Sequence, residues 1–234
     1  MDRQLSDLGL DAERVAASTP QDLPAHPELS PSAAACLNSH RRIFEMIAHQ
    51  QLPAALILED DAHLSPLLPQ FLAHPELRDG WYDIIRIETR LKPVKLPREA
   101  AKQFGQFKAF GLMSSLAGTA GYIITFDAAR KALADPIFAQ LPIDNYLFGR
   151  RGPLLYRDRI YQMSPALCCP AEFLASLREK PFSHGDIVGR IDPLRRTNAA
   201  AHIASGVTQV RRKVKAFGGI EFLRARSTIV PFKE

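Results

Sequence analysis

The sequence predicts an α/β protein in which a mixed sheet is flanked by helices. Three observations carry that expectation. Short apolar runs of strand length, "AALIL" at 54–58 and "WYDIIRIE" at 81–88, are bounded by prolines, glycines or charges. Segments with apolar residues three and four apart, at 30–51 and again after Phe126, alternate with those runs. At 234 residues and 46% hydrophobic content, the chain can bury a sizeable core.

In chain order, residues 30–51 open with Ser30 as a helix N-cap and Pro31 at the first helical position. Ala33, Leu37, Phe44 and Ile47 then recur at near-helical spacing. Pro53 ends that helix, and the five apolar residues 54–58 are too few for another, so they read as a buried strand. Ser65 and Pro66 start a second, short helix that runs to about His74. Residues 81–88 alternate as a strand, whereas 90–103, with two prolines and five basic residues, predict a mobile loop. Residues 118–135 read as a glycine turn, a strand to about Phe126 and a helix capped by Asp127. Residues 154–167 predict a closing hairpin or strand pair. Pro170, Pro181, Gly185, Gly189 and Pro193 then interrupt any long element. One domain over 1–170 is therefore expected, with an irregular C-terminal extension over 171–234.

The net charge of +5 is concentrated in the tail: residues 205–234 hold seven Lys or Arg against two Glu, which accounts for all of it. Within that stretch Val207, Val210, Val214 and Phe217 form a helical stripe. Two readings stay open: residues 207–226 lie on an anionic membrane surface, or they dock on their own domain with solvated basic faces. Nucleic acid is not expected as a partner, because the body is neutral and carries no nucleic-acid motif. Three cysteines without C-x-x-C spacing suggest neither a disulfide framework nor a zinc ribbon. No run reaches membrane-span length and the N-terminus lacks signal-peptide order, so a cytoplasmic location is expected.

The chemistry is concentrated at "LILEDD". Three adjacent carboxylates at the end of an apolar strand repel one another beside a low-dielectric core, and a divalent cation is the natural counter-charge. On an extended chain Glu59 and Asp61 would share a face and hold Mn²⁺ or Mg²⁺, while Asp60 would face a neighbouring loop or a sugar ring. His40, one helical turn after Cys36 and one before Phe44, reads as a core histidine orienting the acids or as a group acting directly. Gly118, Thr119 and Gly121 allow close backbone approach to a ligand. Tyr122 would face ligand or core. Asp144, between Pro142 and Tyr146 and flanked by Asn145, is a candidate base or a helix cap.

These motifs resemble glycosyltransferase family 25, the lipopolysaccharide and lipooligosaccharide type. "CLNSH" fits its C-x-x-S-H helix, "LEDD" its acidic strand end, "WYDIIRIE" its next strand, "GTAGYIITF" its G-T-x-x-Y strand, "LPIDNYL" its P-x-D segment and "IYQMSPAL" its closing strand. The order holds from about residue 30 to 167. The resemblance implies a GT-A-like fold of Rossmann type, a UDP-sugar donor (commonly UDP-galactose), a divalent metal at Glu59 and Asp61, and inverting transfer to a lipid-linked oligosaccharide. Asp144 would be the base, and His40, Asp60, Gly118, Thr119, Tyr122 and Asn145 would contact substrate, at the cytoplasmic face of the inner membrane. Two departures stand out. The family's opening strand with its arginine-bearing loop is absent from the start of this sequence, and its G-E-I-G is here "SAAA", residues 32–35. They motivate an alternative, a degenerate transferase fold serving as a binding or scaffold protein.

Overall fold

The computed structural model describes residues 1–174 and 225–233, apart from the Tyr156 side chain. The chain begins with a one-and-a-half-turn helix, α1 (Asp2–Asp7), and a short 3-10 turn at Pro20–Asp22, before the long helix α2 (Pro31–Gln50). Ser30 caps α2 by accepting the Ala33 N–H, and Pro31 follows at the first helical position. The helix stops where Gln51 turns left-handed, at φ 54°. Strand β1 (Ala54–Leu58) follows directly.

Six strands form the central sheet: β1, β3 (Ile84–Arg86), β5 (Lys102–Phe104), β6 (Phe107–Gly111), β7 (Gly121–Thr125) and β8 (Ile160–Ser164). Their spatial order is β1-β7-β3-β8-β6-β5. Only β3 and β8 pair in parallel, and the other neighbours are antiparallel. Two antiparallel steps through β7 make β1 co-directional with β3, so β1, β3 and β8 all end on the same edge. Two-stranded ribbons complete the fold: β2 (Ala62–Leu64) with β9 (Cys168–Pro170), and β4 (Pro93–Leu96) with β10 (Arg226–Ile229).

The period-2 alternation of the strands divides the core in two. Ile57, Ile84, Tyr122 and Ile124 pack on one face, under Phe44 and Ile47 of α2, the alanines of α4 (Phe126–Ala134) and the helix α5 (Ile143–Phe148). Ile85, Ile87, Ile123 and Met163 pack on the other, with Leu68 and Phe71 of the short helix α3 (Leu68–Leu72). Burying both faces is what lets the central strands read as nearly continuous apolar runs.

Several local expectations are corrected. Residues 90–103 are not simply a loop: β4 alternates exposed and buried, with Val94 and Leu96 inward, and β5 starts at Lys102. The prolines misdirect because Pro93 opens its strand, where no ladder donor is needed. Helix α4 is capped by Thr125, whose side chain accepts the Ala128 N–H, so Asp127 lies in the first turn and not at the cap. Residues 154–167 form a helical turn, α6 (Leu154–Arg157), and one strand, not a hairpin. Ser65 does not cap α3, whose N-cap position is Leu67; its hydroxyl accepts the Leu67 N–H at 3.3 Å and donates to the Lys233 carbonyl. The first strand is β1, preceded by helices and turns alone. The basic stripe at 207–226 falls outside the described residues but for its last two positions.

Candidate functional site

The shared edge at the ends of β1, β3 and β8 is where ligands bind in open α/β sheets, and it gathers most of the site residues read from the sequence. Leu58 sits opposite Gly121 in the β1–β7 ladder, and the Glu59 N–H continues it by donating to the Ala120 carbonyl at 3.0 Å. That register brings Glu59 beside Thr119, whose buried hydroxyl donates to Glu59 Oε1. From α2, His40 Nε2 reaches the same oxygen at 3.4 Å, while Nδ1 lies 2.7 Å from the Tyr122 hydroxyl. One neutral tautomer satisfies both contacts: Nε2–H donates to Glu59, and Nδ1 accepts from Tyr122. His40 is 4% exposed and Tyr122 wholly buried. Tyr122 therefore takes the core alternative, holding His40 from behind.

Residues 59–61 are not extended. The Ala62 N–H donates to the Glu59 carbonyl at 3.2 Å, closing a turn with exposed Asp60 and Asp61 at its tip. The strand alternation expected to set Glu59 and Asp61 on one face does not hold: Glu59 is drawn inward by His40 and Thr119, and the two aspartates project outward. The acids titrate in opposite directions. Burial opposes ionisation of Glu59, but hydrogen bonds from His40 and Thr119, with electrostatic attraction to the His40 ring and to the Arg90 charge, pull its carboxyl below the ordinary range. Partial burial, then the charges of Glu59 and Asp60, push Asp61 up.

Asp144 lies in the first turn of α5. Its Oδ2 accepts the Gly118 N–H at 3.3 Å and its Oδ1 the Asn145 N–H at 2.7 Å, and Asn145 is exposed beside it. Gly118 has φ +91°, and a Cβ there would stand 2.5 Å from Glu88 Oε1, so this turn requires glycine. Cys36 is a neighbour not foreseen as a site residue: its thiol, the His40 ring and the Glu59 carboxylate offer ligand atoms within 4.8 Å of one another. Cys36 is exposed as a residue, but desolvation of its thiol, then the negative charges of Glu59 and Asp144, raise that thiol to about 11, which keeps it protonated at neutral pH. The one-turn spacing of Cys36 and His40 on α2 was the available signal.

A family model described as glycosyltransferase family 25 (LPS biosynthesis protein) matches residues 11–147, more than half of the chain. The chain belongs to glycosyltransferase family 25. Similar family members include the lacto-N-neotetraose biosynthesis glycosyltransferases LgtE and LgtB of Neisseria gonorrhoeae. LgtE is 33% identical over 67% of this chain and 59% of its own length, and LgtB 31% over 75% and 66%. The lipooligosaccharide biosynthesis protein lic2B of Haemophilus influenzae is 28% identical over 61% of this chain and 55% of its own. The chain thus spans somewhat under two thirds of these curated relatives. The family match starts earlier than residue 30, inside the N-terminal helix-and-turn segment, and takes in Glu59, Thr119 and Asp144 together. The "SAAA" departure from the family-25 pattern is the first turn of α2, where Ala34 and Ala35 are buried against the core.

Proposed function

We propose that this chain is a metal-dependent, inverting hexosyltransferase with a GT-A-like arrangement, moving galactose from UDP-galactose to a lipopolysaccharide-type oligosaccharide. The observation that carries the reading is the join between the acidic turn and Asp144 at one sheet edge, through Thr119 and Gly118, in a family-25 chain. The relatives' names supply the acceptor class.

By residue type the acids suit a hard cation, although the three ligand groups that converge within 4.8 Å among the described residues are Cys36, His40 and Glu59, so Asp60 and Asp61 would have to turn inward to join one. Asp60 and Asp61 present exposed carboxylates, and both hydrogen bonds to Glu59 fall on Oε1, so Oε2 is the oxygen a cation would engage. Bound Mn²⁺ or Mg²⁺ would neutralise charge building on the departing diphosphate. His40 and Thr119 hold Glu59 ionised and oriented. Asp144, fixed by two backbone N–H groups, accepts the proton of the attacking acceptor hydroxyl as its oxygen bonds to the anomeric carbon and UDP leaves. Asp60 and Asn145, exposed beside these groups, are placed to hydrogen-bond sugar hydroxyls. Work at the cytoplasmic face of the inner membrane fits the absence, among the described residues, of any helix long and apolar enough to cross a bilayer.

The test is transfer from UDP-galactose to a lipooligosaccharide acceptor with Mn²⁺ and with chelator. Activity should need metal, and Asp61→Asn and Asp144→Asn should each lower kcat at least a hundredfold. Full activity of Asp61→Asn in chelator would remove the metal role. Conversion of the SAAA segment from glycine and acid to buried packing favours the second reading, a scaffold. No thermal shift with any UDP-sugar plus Mn²⁺ would support it.

A further inference from the structure

Beside this site, past the 116–120 loop, lies a cleft of about 400 Å³ counting its open mouth. Arg86, Glu88, Arg90, Lys92, Gln162 and Val230 are among the residues that line it. Arg86 and Glu88 are 2% and 0% exposed. Arg86 Nη1 donates to the Glu88 carbonyl and to Gln162 Oε1, and Nη2 to the Ala117 carbonyl. Glu88 Oε2 accepts the Ala120 N–H at 3.0 Å. Glu88 Oε1 is ion-paired with Arg86 Nη2 at 3.0 Å and with Arg90 Nε at 4.0 Å but has no hydrogen-bond partner among the described residues, and neither do Arg86 Nε and Arg90 Nε. Three such groups around one cavity mark a place built for polar contacts from outside, since buried polar atoms are otherwise paired.

The charge at the mouth decides the ligand class. Arg90 pairs with exposed Glu172 at 2.9 Å, and both Arg90 and Lys92 lie over the Phe173 ring. Arg86, Arg90 and Lys92 face one buried carboxylate, so the cleft is cationic. An acid of its own chain already sits on Arg90 at the rim, where an incoming anion would exchange with it. We propose that this cleft is an anion subsite, taking a phosphate or carboxylate on Arg90 and Lys92 while Glu88 Oε1 accepts a hydroxyl of the adjoining sugar or ribose. The proposal deepens the transferase reading and rests on it for the sugar. The anion comes from the donor's diphosphate or from an acidic sugar of the acceptor.

The experiment is titration of the full chain, in chelator and at low salt, with inorganic pyrophosphate and with glucuronate. Saturable binding of pyrophosphate assigns the cleft to the donor, and binding of glucuronate alone assigns it to the acceptor. In either case Arg90→Gln with Lys92→Gln should weaken affinity at least tenfold. Lys92 is exposed, so Lys92→Gln alone, read for a several-fold loss, serves if the double variant melts early. No saturable binding of either probe, or affinity unchanged in the variants, overturns the proposal. Chelator and absence of turnover separate this result from the transferase test. Metal-dependent transfer with no anion binding sinks only the subsite, and anion binding without transfer by any donor sinks only the reaction.

Discussion

At the scale of single residues, Glu59 and Asp61 shift in opposite directions although they are two positions apart in one turn. Folding depresses the Glu59 carboxyl below its ordinary 4.5, so its contribution to stability is present above that pH and is lost as pH falls through the folded value. Folding raises Asp61 above 3.8, so ionised Asp61 penalises the native state at neutral pH, and the penalty vanishes once both states are protonated. Metal-free Glu59→Gln should therefore melt below wild type at pH 7 and converge with it on acidification. Metal-free Asp61→Asn should melt higher at pH 7, by of the order of a degree given its exposure, and no higher at pH 3. Melting curves at the two pH values check both signs. Adding Mn²⁺ should stabilise wild type and not Asp61→Asn. Tyr122→Phe removes the hydroxyl on His40 Nδ1, costing about 1 kcal/mol and leaving the ring free to turn from Glu59. A several-fold fall in kcat with little change in KM is the expected result. The sequence shows why Glu59 matters but not which way it points. A run of three acids announces charge, and a hydrogen bond from a helix 19 residues away decides orientation.

At the scale of elements, the 116–120 loop ties the site together, because its backbone and side chains reach Glu59, Glu88, Asp144 and Arg86 in turn. Gly118→Ala should be among the most damaging small substitutions. Its φ of +91° is unfavourable for any side chain, and the obstructing Glu88 is wholly buried and held by Arg86 and Ala120. A loss of roughly 1–3 kcal/mol in denaturant unfolding, with near-complete loss of activity, is expected. The elements legible in the sequence were those whose signals are local: α2 from Ser30, Pro31 and its apolar spacing, β1 from five apolar residues between a proline and acids. Those missed depend on partners distant in sequence. Strand β4 exists because β10, some 130 residues on, pairs with it residue by residue from Arg226 to Ile229. The cleft residues escaped for a related reason. Residues 81–88 read as a strand from their apolar alternation, while the charged positions 86, 88 and 90 at and just past its end alternate just as regularly and mark one polar face.

At the scale of the whole molecule, residues 225–233 pack against the body of the chain and form part of the cleft. Val230 is buried in the same core cluster as Val94 and Leu96. Its carbonyl accepts the Thr89 hydroxyl at 2.9 Å, the Pro231 carbonyl accepts the Ala166 N–H at 2.8 Å, and the Lys233 carbonyl accepts from Ser65. Thr89 and Val230 also line the cleft, so residues 141 positions apart in sequence form one wall. Deleting residues 225–234 should then do two separable things. Losing the β4–β10 ladder, three further hydrogen bonds and one buried valine should cost roughly 3–5 kcal/mol, or about 10 °C in melting temperature. The truncated protein, assayed below its lowered melting point, should bind pyrophosphate or glucuronate more weakly, because the cleft opens to water beside Arg86 and Glu88. The Glu59–Thr119–His40 contacts include nothing from the tail, so stabilisation by Mn²⁺ should survive the deletion. An unchanged melting temperature would show that the ribbon is not tethered as drawn, and loss of the Mn²⁺ effect would show that the acidic turn and the cleft fold as one unit.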